Sequence, residues 1–217
     1  MKKVGLISLG CHKNLVDSEN ILGLFDRNGY EITNDPADSD VIVINTCGFI
    51  ESSKKESIEN ILEMLQYGKK VVVTGCLAER YLEDLKREIP EVDVYIPIRE
   101  YKNFNKHLYL LDKSIDKSLG VDDDYRIVST GPFSAYLKIG EGCDNRCSYC
   151  AIPLIRGHFV SRDMDAIIAE AKDLAKNGIK EIVVLEQDTT KYGIDFHNPE
   201  INIVSLLKKL LEIISTV

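Results

Sequence analysis

The chain has 217 residues, 44% hydrophobic and 29% charged, with 27 Lys and Arg against 35 Asp and Glu for a net charge of -8. That length carries one large domain or two moderate ones with real cores. The acidic balance argues against a broad nucleic-acid footprint, which needs clustered positive charge, and no apolar run approaches the roughly 18 residues of a membrane span. The opening Met1–Gly10 shares only its two lysines with a signal peptide, because its apolar stretch is short and Cys11-His12-Lys13-Asn14 follows at once. Six cysteines without an export signal point to a reducing compartment, where thiols serve metals or redox chemistry, and so to a cytoplasmic protein.

Residues 1–112 alternate between strand and helix signals. Val4–Leu9, Val41–Asn45 and Val71–Thr74 are short β-branched-rich runs, the pattern of strands buried on both faces of a parallel sheet. Between them the 3.6-residue period predicts a helix from about Asn14 to Gly29, with Leu15, Ile21, Leu22 and Phe25 on one face. A second helix is predicted over Ser52–Gln66, with Ile58, Ile61, Leu62 and Leu65 inward. A third is predicted over Ala78–Glu88, ending before Pro90. Repeated strand–helix units imply right-handed crossovers and a doubly wound α/β domain.

Residues 113–132 change character: the Asp122–Asp124 run, Gly120 and Gly131-Pro132 read as a linker with a solvated acidic segment. A second α/β unit is predicted over 133–217. It consists of a strand at Ala135–Ile139, a helix at Asp163–Asn177 with Asp163 as N-cap and Gly178 as stop, a strand at Glu181–Leu185 and a helix at Ile203–Ile214.

The cysteines fall into two sets. Cys143, Cys147 and Cys150 form a Cys-x3-Cys-x2-Cys loop after the Ala135–Ile139 strand. Three thiolates hold three irons of a cubane cluster and leave the fourth open, unlike the four-cysteine shell of an electron carrier. The competing readings are a zinc site, which wants a fourth ligand that only His158 offers nearby, and unliganded thiols. Cys11, Cys47 and Cys76 each lie just beyond a predicted strand, in Ser8-Leu9-Gly10-Cys11, Ile44-Asn45-Thr46-Cys47 and Val73-Thr74-Gly75-Cys76. The carboxyl ends of parallel strands form one ligand-binding edge, so these three are candidates for a second open cluster. Gly10 and Gly75 would let bulky sulfides approach the backbone. The bland alternative is three small buried hydrophobes.

These residues resemble a known family. Cys143, Cys147 and Cys150, with Tyr149 before the last, resemble the radical S-adenosylmethionine signature. The run Gly10-Cys11-His12-Lys13-Asn14-Leu15-Val16-Asp17-Ser18-Glu19, with Asn45-Thr46-Cys47 and Thr74-Gly75-Cys76, resembles the methylthiotransferase domain that precedes it; Arg156-Gly157 and Ser161-Arg162 also fit. Lys13 and Gln187-Asp188-Thr189-Thr190 with Tyr192-Gly193 resemble the branch that modifies an aspartate of small-subunit ribosomal protein twelve. The transfer-RNA branch usually carries Gly-Cys-Gln-Met-Asn and Gly-Gln-Asn-Val instead. The resemblance covers essentially the whole chain. It implies a doubly wound sheet domain followed by the first part of a partial β/α barrel. The family's barrel has further strand–helix units and then a small β-barrel domain, so the chain is expected to be incomplete and need not be active by itself.

The resemblance implies two 4Fe–4S clusters, with S-adenosylmethionine on the open iron of the Cys143, Cys147 and Cys150 cluster. Reductive cleavage there would give a radical that removes hydrogen from an unactivated aspartate β-carbon, chemistry that belongs to the cofactor. The Cys11, Cys47 and Cys76 cluster would deliver sulfur, and a second S-adenosylmethionine the methyl group. Tyr149 is expected against the adenine, with a plain core tyrosine as the alternative. Glu186 and Gln187 are expected at the cofactor's amino end, unless they are a solvated strand end. Arg156 and Arg162 would neutralise the cofactor carboxylate or the cluster, or else make surface pairs. His12 and His158 are read as bystanders. Expected partners are the ribosomal protein and an electron donor of flavodoxin-like kind, with no membrane. The rival readings are the same chemistry on adenosine of transfer RNA, and a non-catalytic iron–sulfur or zinc protein.

Overall fold

The computed structural model describes residues 1–121, 123 and 125–214. The chain divides into two compact units, Met1–Ile127 and Val128–Val217. The first unit begins with β1 (Lys3–Ser8), α1 (His12–Arg27), β2 (Glu31–Ile32), β3 (Val41–Thr46) and α2 (Glu51–Leu65). It continues with β4 (Lys70–Gly75), α3 (Cys76–Arg80), α4 (Leu82–Glu88), β5 (Val94–Ile96) and α5 (Phe104–Leu108). The five strands are all parallel, in the order β2-β1-β3-β4-β5. This is a doubly wound order, whose topological switch lies between β1 and β3.

Alternation along β3 sends Val41 and Val43 into one core and Ile42 and Ile44 into the other. The first core gathers Ile21, Leu24, Phe25, Phe104 and Leu108; the second gathers Ile61, Met64, Leu77 and Leu85. Each such side chain contributes about 1.5–3 kcal/mol when fully buried, which fixes the sheet between two helical layers.

Several expectations are corrected by packing. The predicted third helix is two helices, α3 and α4, broken at Tyr81, which takes φ -127 and ψ 31. In α2 the face is rotated: Leu62 is 48% exposed, while Ser57 and Met64 turn inward. The short edge strands β2 and β5 carry too few residues to show a period.

The largest departure is α1, where Lys13, Asn14, Asp17, Ser18, Glu19 and Asn20 are all buried. Their cover on one side is the stretch read as a linker. Arg126 pairs with Glu19 at 2.7 Å, the amide of Ile127 donates to the Glu19 carbonyl, and Asn20 donates to Asp123. Gly23 lets the strap lie close, since a Cβ there would stand 2.5 Å from the Tyr125 carbonyl oxygen. Residues 113–121 also pack in this unit, with the Val121 amide bonded to the Tyr101 carbonyl. Asp123 is therefore held rather than merely solvated; Asp122 and Asp124 lie outside the described residues.

The second unit comprises β6 (Ser134–Lys138), β7 (Gly140–Glu141), α6 (Ile152–Arg156), β8 (Val160–Ser161), α7 (Met164–Lys176), β9 (Glu181–Leu185) and α8 (Ile203–Ile214). β6 and β9 pair in parallel across the α7 crossover, and β7 and β8 form a small antiparallel pair. Asp163 caps α7 by accepting from the Ala166 amide at 3.0 Å, and Gly178 beyond it takes φ +95. Ile167, Ala171, Leu206 and Leu210 join Leu137 and Ile139 in its core.

Candidate functional sites

In the first unit the carboxyl edge of β1, β3 and β4 carries one cysteine after each strand. Cys11 is the N-cap of α1 and is exposed; Cys47 follows β3 and Cys76 opens α3, and both are buried. Gly10 takes φ +91, and a Cβ there would lie 2.6 Å from Cys47 Cβ and 2.9 Å from Cys47 Sγ. The loop of Cys11 and the side chain of Cys47 are therefore immediate neighbours. Gly75 takes φ +90, and its missing Cβ leaves room for Asn45 Oδ1 and the Thr46 backbone. The space at both glycines is thus filled by the adjoining strand end.

The edge is tied together by two buried asparagines that stand in the cysteine motifs and to which sequence reading assigned no role of their own. Asn14 Nδ2 donates to the carbonyls of Leu9 (2.9 Å) and Thr46 (3.0 Å), while its Oδ1 accepts from Cys76 Sγ at 3.4 Å. One carboxamide thus touches the chain at the carboxyl ends of all three strands. Asn45 Nδ2 donates to the Asn14 carbonyl (2.8 Å) and to Ser18 Oγ (2.9 Å). Ser57 Oγ brackets Cys47, accepting from its amide at 3.0 Å and donating to its carbonyl at 2.9 Å. The only sequence signal for these roles was that Asn14 and Asn45 stand beside cysteines.

In the second unit, residues 142–150 run from β7 to α6 and carry Cys143, Cys147 and Cys150, the middle one exposed and the others half-buried. Gly142 takes φ +79, and a Cβ there would overlap the His158 carbonyl, so glycine is required on both counts; Arg146 takes φ 49 within the turn. The Cys143 amide donates to the Gly157 carbonyl at 3.1 Å. Asp144 accepts from His158 Nδ1 (2.7 Å) and from the Phe159 amide (3.2 Å), so the hydrogen bond from His158 first of all holds its carboxyl below the usual range. Asn145 donates to Asp188 at 2.8 Å. His158 is thus a loop partner.

Tyr149 is 86% exposed, which corrects the alternative of a core tyrosine. Arg156 is buried rather than on the surface, with Nη1 3.3 Å from Glu141; Lys138 stands 3.6 Å from the same carboxylate. Arg162 likewise pairs internally, with Glu170 at 2.7 Å. Glu186 and Gln187 are half-buried: Glu186 Oε1 accepts from the Gln187 amide at 2.7 Å, and Oε2 fills the space that Gly140 leaves by lacking a Cβ. His12 is exposed.

Among the described residues no three His, Cys, Asp or Glu side chains converge as ligands of a single metal ion. A cubane makes a different demand, since its thiolates bind irons at separate corners. Three thiols along one strand edge, and three on one short loop, supply sulfurs at separate positions as that demand requires.

Comparisons with known proteins agree with this division. Residues 137–215 match the Radical SAM superfamily, and residues 3–97 match the Uncharacterized protein family UPF0004. The chain is 52% identical over 215 residues to the ribosomal protein uS12 methylthiotransferase RimO of Alkaliphilus oremlandii, covering 97% of this chain and 49% of that one.

The chain belongs to the radical S-adenosylmethionine methylthiotransferase family.

A second relative of the same name, from Caldicellulosiruptor saccharolyticus, is 50% identical over 230 residues, covering 98% of this chain and 51% of its own. The chain therefore spans about half the length of the curated relatives it matches. In fold it is similar to TsrM, a radical S-adenosylmethionine methyltransferase from Kitasatospora setae, with a TM-score of 0.67 and 13% identity over all of this chain and 52% of that one. It is also similar to the cobalamin-dependent S-adenosylmethionine radical enzyme OxsB, with a TM-score of 0.58 and 12% identity over 98% of this chain and 37% of that one. Membership of the superfamily implies S-adenosylmethionine and a 4Fe–4S cluster, and the matched residues 137–215 include the Cys143, Cys147 and Cys150 loop. Among the described residues no helix is long and apolar enough to cross a membrane.

Proposed function

We propose that this chain is the cluster-bearing part of an enzyme that replaces a β-hydrogen of an aspartate in ribosomal protein uS12 with a methylthio group. The observation that carries the reading is identity of 46–52% to curated uS12 methylthiotransferases over nearly the whole chain. Their common name favours the protein substrate over adenosine of transfer RNA.

Cys143, Cys147 and Cys150 would hold the cluster that binds S-adenosylmethionine, and Cys11, Cys47 and Cys76 a second 4Fe–4S cluster. When bound, these groups supply one-electron cleavage and sulfur delivery, with the electron from a flavodoxin-like donor and the methyl from a second S-adenosylmethionine. The exposed ring of Tyr149 would stack on the adenine. Glu186 and Gln187, at the carboxyl end of β9, would accept from the cofactor's ammonium group. Arg156 and Lys138 both face Glu141 beside the loop, where their positive charges would help to offset the negative charge of a thiolate-bound cluster. A cytoplasmic location follows from the ribosomal substrate.

Mass spectrometry of uS12 from cells with and without the full-length gene tests the proposal. One methylthio addition on an aspartate, present only with the gene, is expected; unmodified uS12 in both, or an addition on transfer RNA instead, overturns it. In the full-length enzyme, replacing Cys143, Cys147 or Cys150 should abolish S-adenosylmethionine cleavage, while replacing Cys11, Cys47 or Cys76 should spare cleavage and stop sulfur insertion.

A further inference from the structure

We propose that Asn14 and Asn45 are positioning residues that hold the loops of Cys11, Cys47 and Cys76 in ligand-ready register before any metal arrives. The inference rests on the proposed second cluster and adds a role for side chains that bind no iron themselves. Three loops from three strands carry these cysteines, and loops fluctuate independently unless something joins them. Asn14, fully buried, joins all three. Its Nδ2 faces two carbonyl oxygens, so the amide cannot flip without setting its own oxygen against them. Oδ1 is thereby turned to Cys76 Sγ.

Asn45 supports Asn14 from behind, donating to its backbone carbonyl and to Ser18 Oγ, and Ser18 in turn donates to Ser8 Oγ at 2.8 Å on β1. The chain Ser8–Ser18–Asn45–Asn14–Cys76 thus crosses from β1 through α1 and β3 to α3. Among the described residues Asn45 Oδ1 is buried without a hydrogen-bond partner, beside Gly75. A lone buried acceptor is costly, and such a cost is expected where a site must be held rather than where a core is merely filled. Partners behind the ligands characteristically set ligand orientation and metal affinity.

The test compares wild type with Asn14→Leu and Ser18→Ala in the full-length protein. Asn14→Leu keeps the number and branching of the side-chain heavy atoms and removes the amide; Ser18→Ala is the milder variant, loosening Asn45 from a distance. Two readouts are taken: iron per chain after anaerobic reconstitution, and, in metal-free protein, the alkylation rates of Cys47 and Cys76. Wild type should carry ~8 irons and Asn14→Leu ~4, corresponding to loss of one cubane, with S-adenosylmethionine cleavage retained. The two buried thiols should alkylate about tenfold faster in Asn14→Leu and severalfold faster in Ser18→Ala, as loop opening becomes easier by roughly one factor of ten per 1.4 kcal/mol. Full iron loading and unchanged alkylation in both variants overturn the inference. If Asn14→Leu fails to fold, Ser18→Ala decides by the same readouts. Wild type carrying only ~4 irons sinks the second cluster itself, a result distinguishable from failure of the positioning role.

Discussion

The two cysteine sets are built in opposite ways. The first is spread over three strand ends and locked by buried amides, with two of its three thiols inaccessible before any metal binds. The second lies on one loop whose middle thiol is exposed and whose fastenings, Asp144 to His158 and Asn145 to Asp188, are at the surface. A distributed site depends on tertiary structure for its geometry, whereas a local one carries its spacing in the chain. The first should therefore respond sharply to changes far from the sulfurs, and the second chiefly to changes in the loop.

The largest effect is expected at Arg126→Met, which leaves Glu19 charged and buried on the helix that begins at Cys11. Breaking such a pair costs about 3–5 kcal/mol, read as a fall in the urea midpoint of the first unit; a shift below about 1 kcal/mol would mean that the pair behaves as a surface one. Next is Gly75→Ala, which forces a side chain into φ +90 and onto Asn45 and the Thr46 backbone. A loss of about 3 kcal/mol is expected by the same measurement.

A pH limb comes third. Burial opposes ionisation of Asp112, but Lys2 at 2.6 Å, the Tyr30 hydroxyl at 2.5 Å and Ser114 outweigh it, so its carboxyl lies well below the ordinary range. A depressed folded value means stability that is complete above pH ~4 and drains away as the pH falls toward the folded value. Asp112→Asn should flatten the acid limb of a urea-midpoint series, and an unchanged slope would rule the residue out as its source.

On the other side of the comparison, Asp144→Ala removes a partner that is half-exposed, from a histidine 83% exposed. Stability should hardly change, because the pair is screened by solvent, while protease cleavage within 143–150 of the metal-free protein becomes faster. The smallest effect is expected at Cys147→Ser: the thermal midpoint of the metal-free protein stays put while loop-bound iron disappears. A clear destabilisation would show the loop to be as preformed as the strand edge.

Much of this was readable from residue order because local patterns carry it. β9 and α8 keep their predicted bounds, since a β-branched run and an unbroken apolar period need no distant partner. Asp163 and Gly178 bracket α7 as expected, because capping is a short-range hydrogen-bond problem. The break at Tyr81 left no trace in the periodicity, and the buried face of α1 looked polar because its cover lies about a hundred residues downstream. Arg156 could be named from the chain, but its pairing with Glu141 could not.

Sequence alone determined where the six thiols fall: three at one loop spacing and three at strand ends. Their number and chemical type are properties of single residues and short runs. Only the tertiary structure decided that Asn14 and Asn45 would stand among the first three, and that the strap through Arg126 would seal the helix beneath them. A buried amide acquires its role from carbonyls that other strands deliver, and those partners exist only once the sheet has formed.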